Sequence, residues 1–277
     1  MLLILFFIVI SSLIIGSALN VVIDHLPVVL SRKWDNSTAT EAHEKPSTLT
    51  LLKIFSPRKH CHHCYREFSL IENIPIIGFL LQKGRCQNCH TKIPLRHSLI
   101  ELLTMITLLL ALSEFGISNQ AWCAMLLSCG LIMLAAIDID AQLLPDQLTL
   151  PLLWLGLLAS LFTVFVTPTQ AIMGAIAGYC LLWLVATLYQ LITGRVGMGN
   201  GDFKLLAALG AWVGWQQLLI ILLLSSLLGS VIGLSLMVFK KWDVRTPLPF
   251  GPFLAIAGWI SLMWGPAIWQ TSWQRLV

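Results

Sequence analysis

The chain has 277 residues, of which 57% are hydrophobic and only 11% charged, with a mean hydropathy of +0.83 and a formal net charge of +4. A soluble domain carries roughly 25% charged residues, so this composition excludes a soluble globular protein and implies a polytopic membrane protein. The positive balance reports how the chain sits in a membrane, and does not mark a nucleic-acid-binding surface.

In chain order, the first apolar run is "MLLILFFIVISSLIIGSALNVVI", over about residues 3–23. No Lys or Arg precedes it and it exceeds the length of a signal-peptide core, so it is expected to be a retained transmembrane helix. Further runs long enough to span, at about 17 to 25 residues each, lie at 98–114, 119–137, 147–167, 170–193, 218–239 and 250–269, with a shorter one at 203–217. The expected fold is therefore an all-α polytopic membrane protein of about eight transmembrane helices. Eleven of the seventeen Lys and Arg fall between Arg32 and Arg96, which the positive-inside rule assigns to the cytoplasm. Both termini are then periplasmic, and the loops at 138–146, 194–202 and 240–249 are cytoplasmic. Arg195, Lys204, Lys240, Lys241 and Arg245, in or beside these loops, fit that count. A basic inner face of this kind also favours anionic membrane lipid.

Residues 24–97 form one polar insertion. Its first part, "SRKWDNSTATEAHEKPST", is rich in Ser and Thr and reads as a flexible arm. The second part places Cys61 and Cys64 two apart, then a gap of twenty-one residues, then Cys86 and Cys89 two apart. Two such pairs can present four thiolates to one zinc ion. Two disulfides are the competing reading, disfavoured where thiols stay reduced. A closed four-thiolate shell leaves no position for a substrate, so the metal is expected to be structural. His62, His63 and His90 read as solvated neighbours, and Cys123, Cys129 and Cys180 as packing residues inside apolar segments.

Beyond the insertion, the acids are few. Asp138, Asp140 and Asp146 lie in "AAIDIDAQLLPDQLTLP", and Asp202 closes "GMGNGD". Asp146 after Pro145, and Asp202 after its glycines, can each serve as a helix cap. The other reading is that carboxylates from separate helix pairs meet at one membrane face and share a proton, as in aspartic proteases. The glycines before Asp202 would then allow close backbone approach and positive φ, so that an extended peptide could lie alongside.

Several long motifs in one order carry a resemblance: "GSALNVVIDHLP", the paired CxxC with "ENIPIIG", "GRCQNCHTKIPLRHSLIELL", "IDIDAQLLPDQLTLP", "GMGNGDFKLLAALGAW" and "PLPFGPFLAIAGW". The whole chain resembles a type IV prepilin peptidase, a bifunctional membrane enzyme of the GxGD aspartyl class. It departs in having His62 where the family usually has Pro, and a long arm before Cys61. The resemblance implies an inner-membrane enzyme that cuts the short basic leader from prepilins or type II secretion pseudopilins. It further implies methylation of the new N-terminal amine with S-adenosylmethionine. The acting acids would be Asp138 and Asp202, and the zinc ligands Cys61, Cys64, Cys86 and Cys89. Glu72, in "ENIP", is the candidate residue for methyl transfer, and Asn20 either contacts substrate or bonds another helix. The implied domains are a first helix over 1–23, a zinc-binding, methyltransferase-associated domain over 24–97, and a transmembrane peptidase domain over 98–277. A preflagellin or presenilin-like branch would lack the four cysteines, an ion carrier would place its acids mid-span, and a zinc-anchored assembly factor would cleave nothing.

Overall fold

The computed structural model describes residues 2–38, 64, 88–89, 91, 95–194, 197–240 and 248–274. Among these there are eight α-helices and no strand: α1 (Leu2–Thr38), α2 (Leu95–Phe115), α3 (Asn119–Ala141), α4 (Asp146–Leu161), α5 (Pro168–Thr193), α6 (Asn200–Val213), α7 (Leu218–Lys240) and α8 (Gly251–Gln274). A 3₁₀ turn, Trp215–Gln217, joins α6 to α7. Among the described residues, five segments are long and apolar enough to cross a membrane: Ile8–Ser31, Leu95–Phe115, Asn119–Ala141, Pro168–Thr193 and Trp215–Phe239. α4 and the stretch Gly251–Gly265 of α8 are apolar but shorter.

The chain divides into two compact units, Met1–Ser113 and Glu114–Val277, with the boundary inside the last turn of α2. In the first unit, α1 and α2 pack closely because Gly16 has no side chain. A Cβ there would lie 2.9 Å from the Glu101 Cα. One turn on, the Asn20 amide donates to the His97 carbonyl at 3.0 Å, and Arg96 pairs with Asp24 at 3.5 Å. α1 does not stop near residue 23 but continues through Pro27 to Thr38. Hydropathy marks where the apolar stretch ends, not where backbone hydrogen bonding ends, so "SRKWDNST", expected as part of a flexible arm, is helical.

The second unit is built around α6. Eleven of its residues, Asp202, Phe203 and Leu205 to Val213, are buried, and they contact α5 and α4 most extensively. "GAIAG" puts Gly174 and Gly178 one turn apart on α5. A Cβ at Gly174 would collide with the Gly210 carbonyl, and one at Gly178 would lie 2.6 Å from the Leu206 carbonyl oxygen. Small residues at this spacing let two helix backbones touch, a common device where there is no water to drive association. Contacts pair Gly174 with Gly210 and Gly178 with Leu206, so α5 and α6 are antiparallel. Asp146 with Lys204, and Leu152 with Trp212, make α4 parallel to α6. Gly258 against Leu209 makes α8 parallel to α6 as well, while Trp259 bonded to Ser128, and Gly251 to Asp138, make α3 antiparallel to α8. The end of α3 and the starts of α4, α6 and α8 therefore share one end of this unit. α5 and α7 expose large apolar side chains such as Leu184, Ile192, Leu223 and Val238, as helices facing hydrocarbon do.

The candidate active site

The acids follow from how these ends are made. α3 closes at Gln142, whose left-handed φ of 51° ends the helix and whose N–H caps back to the Asp138 carbonyl. Asp138 thus sits in the last turn, 5% exposed. Its Oδ2 accepts the Gly251 N–H at 2.9 Å, and Gly251 is the first residue of α8. A helix start offers unsatisfied N–H groups to an anion, so α8 orients this carboxylate. The packing leaves no room for error: a Cβ on Gly251 would lie 2.6 Å from Asp138 Oδ2.

Asp202 stands in the first turn of α6, 8% exposed. It is not the N-cap, one of the two readings of its position. Gly199 occupies that position without a side-chain cap bond, as Pro145 does for α4. Asp202 Oδ1 is buried with no hydrogen-bond partner among the described residues, an orphan acceptor of the kind a native protein keeps for a reason. Burial, reinforced by the neighbouring Asp138 charge and opposed by the Gly199 backbone N–H, pushes the Asp202 carboxyl up to about 7. The two acids are therefore close enough to feel each other, and Asp202 can hold a proton near neutral pH.

The glycines of "GMGNGD" act differently from expectation. Positive φ among the described glycines occurs at Gly116, Gly194 and Gly214, and none of these is in the motif. What the motif needs is space. A Cβ at Gly201 would lie 2.7 Å from Leu144 Cβ, and one at Gly197 2.6 Å from the Tyr189 ring. Leu144, in the turn between α3 and α4, also packs on Gly251, so one side chain braces both the Asp202 and the Asp138 supports.

Asp140 is exposed and Asp146 pairs with Lys204, whereas Asp138 and Asp202 are buried. Sequence reasoning missed Gly251, Leu144 and Lys204. "PLPFGPF" was readable as a helix start, since Pro252 follows Gly251 at the head of an apolar run, but its link to Asp138 spans over a hundred positions and leaves no local signal. Of the four cysteines, Cys64 and Cys89 are half-buried, and Cys89 Sγ lies 2.9 Å from the Thr91 hydroxyl. Cys61, Cys86, Glu72, His62, His63 and His90 lie outside the described residues. No group of three metal-binding side chains occurs among the described residues. Asn20, beyond its bond to His97, keeps a buried Oδ1 with no partner among the described residues.

Comparison with known proteins bears on the whole chain. Residues 125–234 match the type IV leader peptidase family, and residues 10–115 match the bacterial peptidase A24 N-terminal domain. A protein of Aeromonas hydrophila named prepilin leader peptidase/N-methyltransferase is 46% identical over 269 residues, covering 95% of this chain and 90% of its own length. Proteins of the same name from Stutzerimonas stutzeri and Pseudomonas aeruginosa are 46% identical over 93% of this chain and 89% of their own, and 43% over 95% and 91%, respectively. No solved structure gives a significant match.

Proposed function

Because the chain belongs to the type IV leader peptidase family, we propose that it cleaves the leader peptide of prepilins or pseudopilins with Asp138 and Asp202, and then methylates the new N-terminus. One observation carries the cleavage reading: two buried carboxylates from separate helix pairs share one end of the unit, within electrostatic reach, one of them with a buried oxygen that has no hydrogen-bond partner among the described residues. Asp202, which keeps its proton to about pH 7, donates to the leaving nitrogen. Asp138, oriented by the Gly251 N–H, takes a proton from the attacking water. Each acid alone can do half of this exchange, and the pair does both.

For the second step, S-adenosylmethionine supplies an electrophilic methyl group. The protein's part is to hold the substrate amine and remove its proton, and Glu72 is the candidate base. Cys61, Cys64, Cys86 and Cys89 would hold a structural zinc that shapes this module. We read 1–23, 24–97 and 98–277 as first helix, zinc-binding domain and peptidase domain.

The same reading places the chain in the bacterial inner membrane with eight crossings. α6 is the short one: fourteen residues rise about 21 Å, less than a full hydrocarbon core. It nonetheless runs from the Asp202 end to the Trp212 end beside α4, and α7 returns to pack Gly229 against Phe253 near the start of α8. That traverse supports counting 203–217 as a crossing, with Asp202 at its mouth and the acids on the cytoplasmic side. The test of the cleavage reading is prepilin processing by purified Asp138→Asn and Asp202→Asn. Each should be slower by at least about 10² to 10⁴, the usual worth of a positioned acid or base. The double variant should be little worse than either, because the two act as one unit.

A further inference from the structure

A second charged pair stands beside the acids, and the cleavage chemistry does not use it. Lys204 Nζ donates to both carboxylate oxygens of Asp146, at 2.6 and 2.8 Å. Lys204 follows Asp202 by two residues on α6, and Asp146 is the first residue of α4. The side chains are 29% and 50% exposed, and an ion pair at such a rim adds little to stability. Its geometry matters more. Near the far end of α6 and midway along α4, the Trp212 indole N–H donates to the Leu152 carbonyl at 2.9 Å, buried, and Gly156 admits the indole ring. α6 is thus tied to α4 at two points, about two turns apart on each helix. The Asp202 end of α6 also packs Gly201 on Leu144 and Phe203 on Tyr179, and the ion pair adds the link of that end to the start of α4.

We propose that Asp146 and Lys204 form the positioning pair of the peptidase, clamping the Asp202 end of α6 to α4 and holding the Lys204 ammonium away from the two acids. This rests on Asp138 and Asp202 being the cleaving pair. Among the described residues, the elements packed at this end of the unit carry Asp138 and Asp140 on α3, Asp146 on α4, Tyr179, Cys180 and Tyr189 on α5 and Lys204 on α6; the described part of α8 up to Gly265 has no titratable or charged group. Among these described side chains Lys204 is the cation, and its bond goes to Asp146 while Asp202 Oδ1 has no hydrogen-bond partner among the described residues. An ammonium released toward the acids would favour their ionised form. The pair would then give up the shared proton that peptide cleavage needs.

The two halves of the pair should therefore fail in opposite senses. Lys204→Met removes a positive charge and should move the alkaline limb of the cleavage pH profile upward. Asp146→Asn leaves the ammonium uncompensated and should move it downward. Both should lower the cleavage rate between about tenfold and 10²-fold, the cost of a displacement near 1 Å, with kcat affected more than KM. Asp146→Glu, which keeps the charge, should restore the rate and the limb. Methyl transfer to an already cleaved pilin, measured on the same full-length preparations, reports that each variant is folded. Folded variants with the wild-type rate and limb would overturn the proposal, and so would slower cleavage with an unmoved limb, which would mean a structural tie only. Wild-type cleavage by Asp202→Asn, run alongside, would overturn the acid assignment itself and the clamp with it.

Discussion

Asp202 is costly where it stands, buried beside another acid, and the proposed cleavage chemistry draws on that cost. An unfolded Asp titrates near 4, whereas here the carboxyl is pushed up to about 7. The folded chain thus holds this proton more tightly than the unfolded chain does. Its contribution to stability is fully present below about pH 4 and is lost as pH rises toward about 7. Cleavage, which needs the same proton, should fall as pH rises past about 7, and a pH profile of prepilin processing checks this. A profile flat to pH 9 would mean that Asp202 is not the acid. Gly251 gives a sharper test. Gly251→Ala would push a methyl against Asp138 Oδ2, and cleavage should drop about 10²-fold from that displacement, with methyl transfer to a pre-cleaved pilin unchanged. At this scale the two acids were legible because a carboxylate is rare in so apolar a chain, and because their motifs stand in order. Their partners were not. Nothing near Asp138 in sequence announces Gly251, and the glycines of "GMGNGD" look like a turn requiring positive φ, when in fact Leu144 and Tyr189 occupy the space that side chains at Gly201 and Gly197 would fill.

Among the helices, α6 is held by what is missing from its neighbours. Gly174 and Gly178 bring the α5 backbone against it, and the Gly174 Cβ position coincides with the Gly210 carbonyl. Gly174→Ala should therefore cost more than the about 1–3 kcal/mol of ordinary overpacking, because backbone rather than a side chain must move. Thermal unfolding in detergent measures it. A loss below about 0.5 kcal/mol, the level of an inconsequential substitution, would show that α5 and α6 can separate freely. The apolar runs announced helices at nearly every place where one occurs, since composition near a membrane leaves the backbone few alternatives. Their ends were less readable. The run expected over 147–167 stops as a helix at Leu161, because Phe162 to Thr167 turns, with Thr163 at φ 49°, before the Thr167–Gln170 capping box opens α5. Apolar turn residues look like span. α1 errs the other way, its helix outlasting its hydropathy through Pro27.

The whole molecule joins two chemistries to one membrane layout, and each has its own test. The four cysteines predict about one zinc per chain, lost in Cys86→Ser; intact protein with two disulfides and no zinc would remove both the metal and the cytoplasmic placement of the insertion. A reporter after Arg245 should behave as cytoplasmic and one after Val277 as periplasmic, the reverse meaning that 203–217 does not cross. The proposed layout rests on charge, because Lys and Arg gather in one insertion. The pairing of α4 with α6 was not, since helices that pack across a bundle share no periodicity that sequence reveals. The most direct measurement incubates wild type and Asp202→Asn with a full-length prepilin and labelled S-adenosylmethionine, and weighs the pilin product by mass spectrometry. Wild type should yield a pilin shortened by its leader and heavier by one methyl group. Asp202→Asn should leave the leader in place, yet still methylate a pilin supplied already cleaved. Wild-type shortening of the prepilin by folded Asp202→Asn would contradict the assignment of Asp138 and Asp202 as the cleaving pair.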